Sequence, residues 1–171
     1  MRIIDSGPVT LGRSVQDVVT IALSDKTVHD VYGVTARIDP WKKCGMRRRI
    51  HLSISRPDGI EAFLKDAGRT VCATLTQRII KLPESTEVRG SVRLHILGAE
   101  FIKIRPKTTV ESTEGGGALL RTTVEMHAVF PPPFARIVED IMANKASEEL
   151  QRFVQSVRRQ CDETIAPPNV V

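Results

Sequence analysis

The chain has 171 residues, 41% of them hydrophobic and 26% charged, which is enough apolar side chain for one ordinary core and leaves no reason to expect a second domain. No stretch approaches the roughly 18 uninterrupted apolar residues of a membrane span, and the opening "MRIIDSGPVTLGR" lacks the apolar core of a secretory signal, so a soluble, intracellular protein is expected. The formal net charge of +5 favours anionic partners without saying which, and it carries no information about fold.

A first strand is read at residues 2–11. In "SVQDVVTIALSDKTVHDVY", Ser14 is an N-cap, and Val15, Val18, Val19 and Ala22 recur at helical spacing, with a second short turn of helix at 26–31. The period then changes. From "VYGVTARIDPW" onward apolar and polar residues alternate, and "RRRIHLSIS" sets Ile50, Leu52 and Ile54 against Arg47, Arg49, His51, Ser53 and Ser55. "TVCATLTQRIIKL" places Val71, Ala73, Leu75 and Ile79 on one face, and "TEVRGSVRLHIL" places Val88, Val92, Leu94 and Ile96 opposite Arg89, Ser91, Arg93 and His95. "EFIKIRPKTTVEST" carries Pro106, which predicts an edge strand or a bulge. "ALLRTTVEMHAVF" sets Leu120, Val124, Met126, Ala128 and Phe130 against Arg121, Thr123, Glu125 and His127.

Such alternation predicts an antiparallel sheet with one apolar and one wet face, its strands joined by turns such as "LPEST" and "STEGGG". A long amphipathic helix closes the chain in "PPPFARIVEDIMANKASEELQRFVQSVRRQ". Its prolines stop the preceding strand, and Phe134, Ile137, Val138, Ile141, Met142, Leu150, Phe153, Val154 and Val157 mark one side. Glu139 and Asp140 early, and Arg158 and Arg159 late, suit the helix dipole. Residues 1–161 are read as one domain and 162–171 as a loose tail.

The sheet has to bury its apolar face, and the last helix is the element long enough to cover it. The predicted fold class is therefore α+β, with about seven antiparallel strands and one or two short helices after the first. That element order, the run "PWKKCGMRRRI" leading into the third strand, and the proline-led final helix resemble the START-like, or helix-grip (SRPBCC), superfamily over residues 7–160. The chain is similar in appearance to its lipid-handling VASt and PRELI-type modules. The resemblance implies a curved sheet wrapped on the C-terminal helix around an apolar cavity, and a carrier or sensor of a lipid or other hydrophobic molecule, usually with no chemistry of its own. Some relatives of this fold are cyclases or hydrolases acting inside the cavity, but no paired acid and base can be named here, so a cavity enzyme ranks below a carrier, and no cofactor is expected. Gating by the connection at 56–69 and the start of the final helix is the simplest expectation.

On those faces the candidate cavity residues are Arg48, Ile50, Leu52, Leu75, Gln77, Leu94, Val124, Met126, Ile141, Met142, Leu150 and Phe153. Whether the space between sheet and helix is filled or hollow is open from sequence. Arg48 and Gln77 share the parity of apolar neighbours. An inward Arg48 needs a carboxylate or a ligand head group; the alternative is that it reaches solvent from a frayed strand start, and that Gln77 bonds a neighbouring strand.

The wet face is broadly basic, and Trp41, Lys42, Lys43, Arg47 and Arg49 form a candidate contact with an anionic membrane, the bland alternative being a solvated sheet face. Nucleic acid ranks below lipid because a chain with 4% aromatic residues is poorly supplied with stacking platforms. No HExxH, GxSxG or Walker signature occurs. The odd, widely spaced Cys44, Cys72 and Cys161 suggest neither a disulfide framework nor a zinc knuckle, and the three outward histidines are read as a surface coincidence, so no metal is expected. A monomer is expected, and an adaptor domain with a filled core remains the alternative to a carrier.

Overall fold

The computed structural model describes residues 1–55, 70–95 and 102–163. Its elements, in chain order, are β1 (Arg2–Asp5), β2 (Val9–Leu11), α1 (Val15–Ala22), α2 (Asp25–Tyr32), β3 (Arg37–Ile38), β4 (Arg47–Ser55), β5 (Thr70–Lys81), β6 (Ser85–His95), β7 (Ile102–Ser112), β8 (Ala118–Ala128) and α3 (Phe134–Glu163). All eight strands join one antiparallel sheet in the order β1-β8-β7-β6-β5-β4-β3, with β2 also paired to β8. The sheet is curved and open, and α3 is the long C-terminal helix of a helix-grip α+β fold.

Local signals explain most boundaries. Ser14 and Ser24 cap α1 and α2, accepting from the Asp17 and Thr27 backbone N–H groups, and Gly33 at φ +92° ends α2. The β3–β4 connection is tight: Lys43, Cys44 and Gly45 all take left-handed backbone, and Lys42 and Arg47 exchange backbone hydrogen bonds across it. A three-residue connection joins β5 to β6, and the Thr113–Gly117 hydrogen bond closes the β7–β8 turn with Gly116 at φ +79°.

Three expectations need correction. The first strand is two, because the chain turns at Gly7 (φ +68°) and Pro8, so that β1 and β2 pair with successive stretches of β8 and the sheet has eight strands instead of about seven. The strand carrying Pro106 is neither an edge nor bulged. β7 lies inside the sheet, and its register with β6 is the same on both sides of the proline, which leaves Pro106 opposite Gly90 with no residue inserted. A Cβ at residue 90 would stand 2.6 Å from Pro106 Cγ, so the missing side chain is what lets the ring into a central strand. Finally, the core side of α3 does not begin at its first turn. Phe134 and Ile137 are about half exposed, while Val138, Met142, Leu150 and Val157 are buried.

Among the described residues, the core consists of three apolar clusters. One joins α1, β2 and the start of β8 to Val157 and Cys161 near the end of α3. A second joins Ile102 and the later half of β8 to Val138 and Met142 of α3. The third seats Val28 of α2 on Ile50, Leu52, Ala73 and Leu75 of β4 and β5.

Gly90→Ala should destabilise the fold by about 1–3 kcal/mol, the usual range for overpacking, and most of that loss should disappear in a Pro106→Ala background. Denaturant unfolding of the two single variants and the double variant measures this; equal losses in both backgrounds would show that the proline is not what the glycine accommodates.

Candidate ligand-binding cavity

On the inner face of the sheet, cross-strand register assembles rows of side chains. One row runs Arg48, Gln77, Gly90, Pro106, Val124 from β4 to β8. Its neighbour runs Ile50, Leu75, Val92, Ile104, Met126 and is filled with bulky apolar groups. The first row has no side chain at its centre, where Gly90 sits between Gln77 and the Pro106 ring, which takes the space a Cβ there would occupy.

Between these rows and the helices is a cavity of about 120 Å³. Leu75, Gln77, Val92, Ile104, Pro106 and Thr108 form its floor, α2 supplies Thr27, Val28, Val31 and Tyr32, and α3 supplies Met142, Lys145, Ala146, Glu149, Leu150 and Phe153. It lies where the three clusters fail to meet. The volume is below the roughly 300–1,000 Å³ of drug-sized sites and near the about 150 Å³ that admits benzene when the lining is apolar.

The polar groups in the wall are few. Thr108 and Thr122 satisfy each other through a hydroxyl–hydroxyl hydrogen bond of 2.9 Å. Lys145 and Glu149 pair one turn apart on α3 at 3.9 Å. Burial pushes the Glu149 carboxyl above its ordinary value against the pull of Lys145 and Arg152. Burial also pushes the Tyr32 phenol up, and the Glu149 charge adds to that shift. Chemically, a protonated Glu149 can donate to a bound acceptor and an ionised one can take a proton. Neither Tyr32 nor the Lys145–Glu149 pair was singled out in the sequence, where an i,i+4 charge pair reads as a solvated helix face.

Beside this wall, Arg48 is 97% buried in the sense that only 3% of its surface is accessible. Its Nε donates to Gln77 Oε1 at 2.8 Å, Trp41 lies over its guanidinium at 4.5 Å, and Nη1 stands 3.7 Å from the Asp25 carboxylate at the start of α2. Nη2 is buried with no hydrogen-bond partner among the described residues. Burial lowers the guanidinium's pKa, and Asp25 opposes the shift. Arg48 therefore does not reach solvent from a frayed strand end.

Of the other expected cavity residues, Leu52, Leu75, Gln77, Val124, Met142, Leu150 and Phe153 stand in the wall. Ile50 and Met126 are fully buried in the neighbouring row, and Leu94 and Ile141 are half-buried elsewhere. The connection at 56–69 and the tail from 164 lie outside the described residues. Among the expected membrane contacts, Lys42, Lys43, Arg47 and Arg49 are exposed, whereas Trp41 is half-buried because its ring is engaged with Arg48. Among the described residues, no helix is long and apolar enough to cross a membrane.

No protein-family model and no curated protein matches the chain. Solved structures do match in fold. A protein of Thermus thermophilus superimposes with a TM-score of 0.62 at 9% identity, covering 96% of this chain and 100% of the other. A START superfamily protein from Mycobacterium smegmatis gives 0.56 at 12%, covering 95% and 98%. A Streptomyces aromatase/cyclase gives 0.59 at 12%, covering 99% of both. Together with the element order, these likenesses show that the chain has the START-like helix-grip fold.

Glu149 yields a prediction about pH. Its folded pKa lies above the unfolded value of 4.5, so its ionisation works against folding, and its stability contribution is present at acid pH and lost as pH rises through the folded pKa. Glu149→Gln should match the wild type near pH 4 and exceed it near pH 7. Chemical denaturation at both values tests this, and a variant less stable at neutral pH would mean that the Lys145 pair outweighs the burial.

Proposed function

We propose that this protein binds a small hydrophobic molecule in the cavity between the sheet, α2 and α3. The observation that carries the reading is the void between the sheet, α2 and α3, walled by apolar side chains from both helices and the sheet and lying at the junction of three packed clusters. Interiors are normally close-packed, so a hollow at the structural centre is the natural place for a ligand. Its volume favours a compact body such as one ring or a short chain. A full acyl chain would need the walls to part, which narrows the expected lipid to the smallest members of that class.

Binding without chemistry is the better-supported form of this reading. Tyr32 is pushed away from ionising near neutral pH, and Glu149 is engaged by Lys145. Glu149 is the residue whose perturbation points toward proton transfer, since buried carboxyls with raised pKa values are enriched at catalytic sites. The alternative of an adaptor with a filled core has less in its favour, because the cavity is not filled by side chains.

Docking to an anionic membrane is a second component, supported by the outer face of the sheet. There the register lines up Arg47, Arg78, Arg89 and Lys107 on four adjacent strands. Glu87 neutralises part of this row through Arg89 and Lys107, at 2.8 and 3.1 Å, and among the described residues Arg47 and Arg78 have no ion-pair partner. Each such cation near an acidic surface is worth roughly 1 kcal/mol.

Two measurements test these readings. Toluene should bind the wild type in calorimetry, and Ala146→Leu, which fills the wall from α3, should weaken that binding at least about tenfold while leaving the melting temperature unchanged or raised; undiminished binding in the filled variant would place toluene elsewhere. In co-sedimentation, the protein should bind phosphatidylserine-containing vesicles in low salt, and the Arg47→Ser/Arg78→Ser variant should bind them less. Equal recovery with purely zwitterionic vesicles would rule out electrostatic docking.

A further inference from the structure

Hydrogen-bonding capacity in the cavity wall is unevenly used. Thr108 and Thr122 bond each other, the Thr27 hydroxyl donates to the Ile21 carbonyl and accepts from Gln160, and Gln77 Oε1 accepts from Arg48, which leaves that amide only its donors. Two lining groups stand apart. The Tyr32 hydroxyl on α2 and the Glu149 carboxyl on α3 have no hydrogen bond among the described residues, and Lys145 stays 3.9 Å from Glu149, beyond hydrogen-bond distance. Tyr32 rests on the cluster that joins Val28 to β4 and β5, and the Glu149 charge acts on its phenol across the α2–α3 junction. Burial disfavours the ionised form of each. A molecule held between the two helices therefore meets a carboxyl on one and a hydroxyl on the other.

Charge narrows the class of molecule. Around this carboxyl, Lys145 and Arg152 are matched by Glu148 and Glu149 itself, so a ligand cation or anion would enter a balanced site without a counter-ion. A hydroxyl brings no charge. It is also the smallest group that donates and accepts at one atom, and so suits a carboxyl that accepts when ionised and donates when protonated. In a wholly apolar hollow the same hydroxyl would give up its water without replacement and weaken binding.

We propose that the ligand of this cavity is a small neutral hydroxyl compound, a one-ring phenol or alcohol whose O–H group bridges the Glu149 carboxyl and the Tyr32 hydroxyl. This assignment rests on the cavity-binding reading above and adds the group by which the ligand is recognised. The apolar body of the ligand lies against Leu75, Pro106, Leu150 and Phe153 of the same wall. Its hydroxyl gives both buried polar groups a partner and leaves the Thr108–Thr122 and Arg48–Gln77 hydrogen bonds in place.

The test is a pair of probes that differ by one hydroxyl, toluene and p-cresol, titrated by calorimetry near neutral pH into the wild type, Glu149→Met and Tyr32→Phe. Wild type should bind p-cresol about tenfold more tightly than toluene, the usual worth of a hydrogen bond to a charged group. Glu149→Met should abolish that preference. Tyr32→Phe keeps the ring in the wall and should reduce the ratio of the two affinities, which keeps the test decisive if Glu149→Met does not fold. Toluene binding as tight as p-cresol in the wild type, or a preference undiminished in either variant, overturns the hydroxyl assignment and leaves the cavity reading standing. Failure of both probes to bind overturns the cavity reading and this inference with it.

Discussion

A single sheet with one apolar face has more surface to cover than one helix can hide. Seven strands side by side, spaced about 4.8 Å apart, span roughly 30 Å, whereas a helix with its side chains is only about 10–12 Å across. The fold answers this by curving the sheet and by adding α1 and α2 to α3, so that each helix seals one sector. Three covers on a curved surface do not tile it completely. The void lies where their edges approach one another. The cavity is thus a consequence of how the apolar face is covered, and any molecule it takes contributes to the same burial that holds the sheet and helices together.

Within that setting, most polar groups near the void are placed so that their desolvation is offset. Thr108 and Thr122 bond each other, Lys145 faces Glu149 as an ion pair at 3.9 Å, and Gln160, Thr27 and Ser156 form a chain that ties α2 to the last turns of α3. Asp30 adds to that tie by accepting from Ser156 and Arg159. At the other end of α3, Glu139 turns inward and accepts the Ala128 N–H at the end of β8, which anchors the helix where its Phe134 and Ile137 remain exposed. The anchors at the two ends flank the stretch that borders the void, residues 142–153, whose polar members pair along α3 itself. Arg48, beside the wall, is an exception to this economy, since its buried Nη2 has no hydrogen-bond partner among the described residues.

The basic outer face obeys different physics. Residues such as Arg47, Arg78 and Arg89 are directly opposite one another on adjacent strands, an arrangement that is mildly destabilising in a sheet unless counter-ions or a partner reduce the repulsion. Glu87 relieves part of it from within the same face, and its carboxyl is held below its ordinary value by hydrogen bonds from Arg89 and Lys107. Because the two faces of each strand alternate residue by residue, the cation row outside and the cavity row inside are set by a single register: moving one strand by one residue would exchange Arg47 with Arg48 and disrupt both.

Much of this architecture was legible in the chain. Period-two alternation identified the long strands and told which side chains share a face, down to the parity that puts Arg48 and Gln77 among apolar neighbours; helical spacing and serine caps located α1 and α2; prolines and an apolar stripe announced α3. These are local properties, determined by backbone geometry over a few residues. Periodicity assigns a residue to a face but does not say what lies opposite it, so the interior position of β7, which needs Gly90 on the next strand to receive Pro106, had no signal in the segment itself. For the same reason no local signal singles out Tyr32, Lys145 or Glu149, which α2 and α3 bring over one void, and Trp41 reads as a membrane contact although its ring is set against Arg48. The pattern of inward and outward residues belongs to the sequence alone. The hollow and the buried guanidinium beside it arise only when distant segments pack, because volume and desolvation depend on what the neighbours leave unfilled.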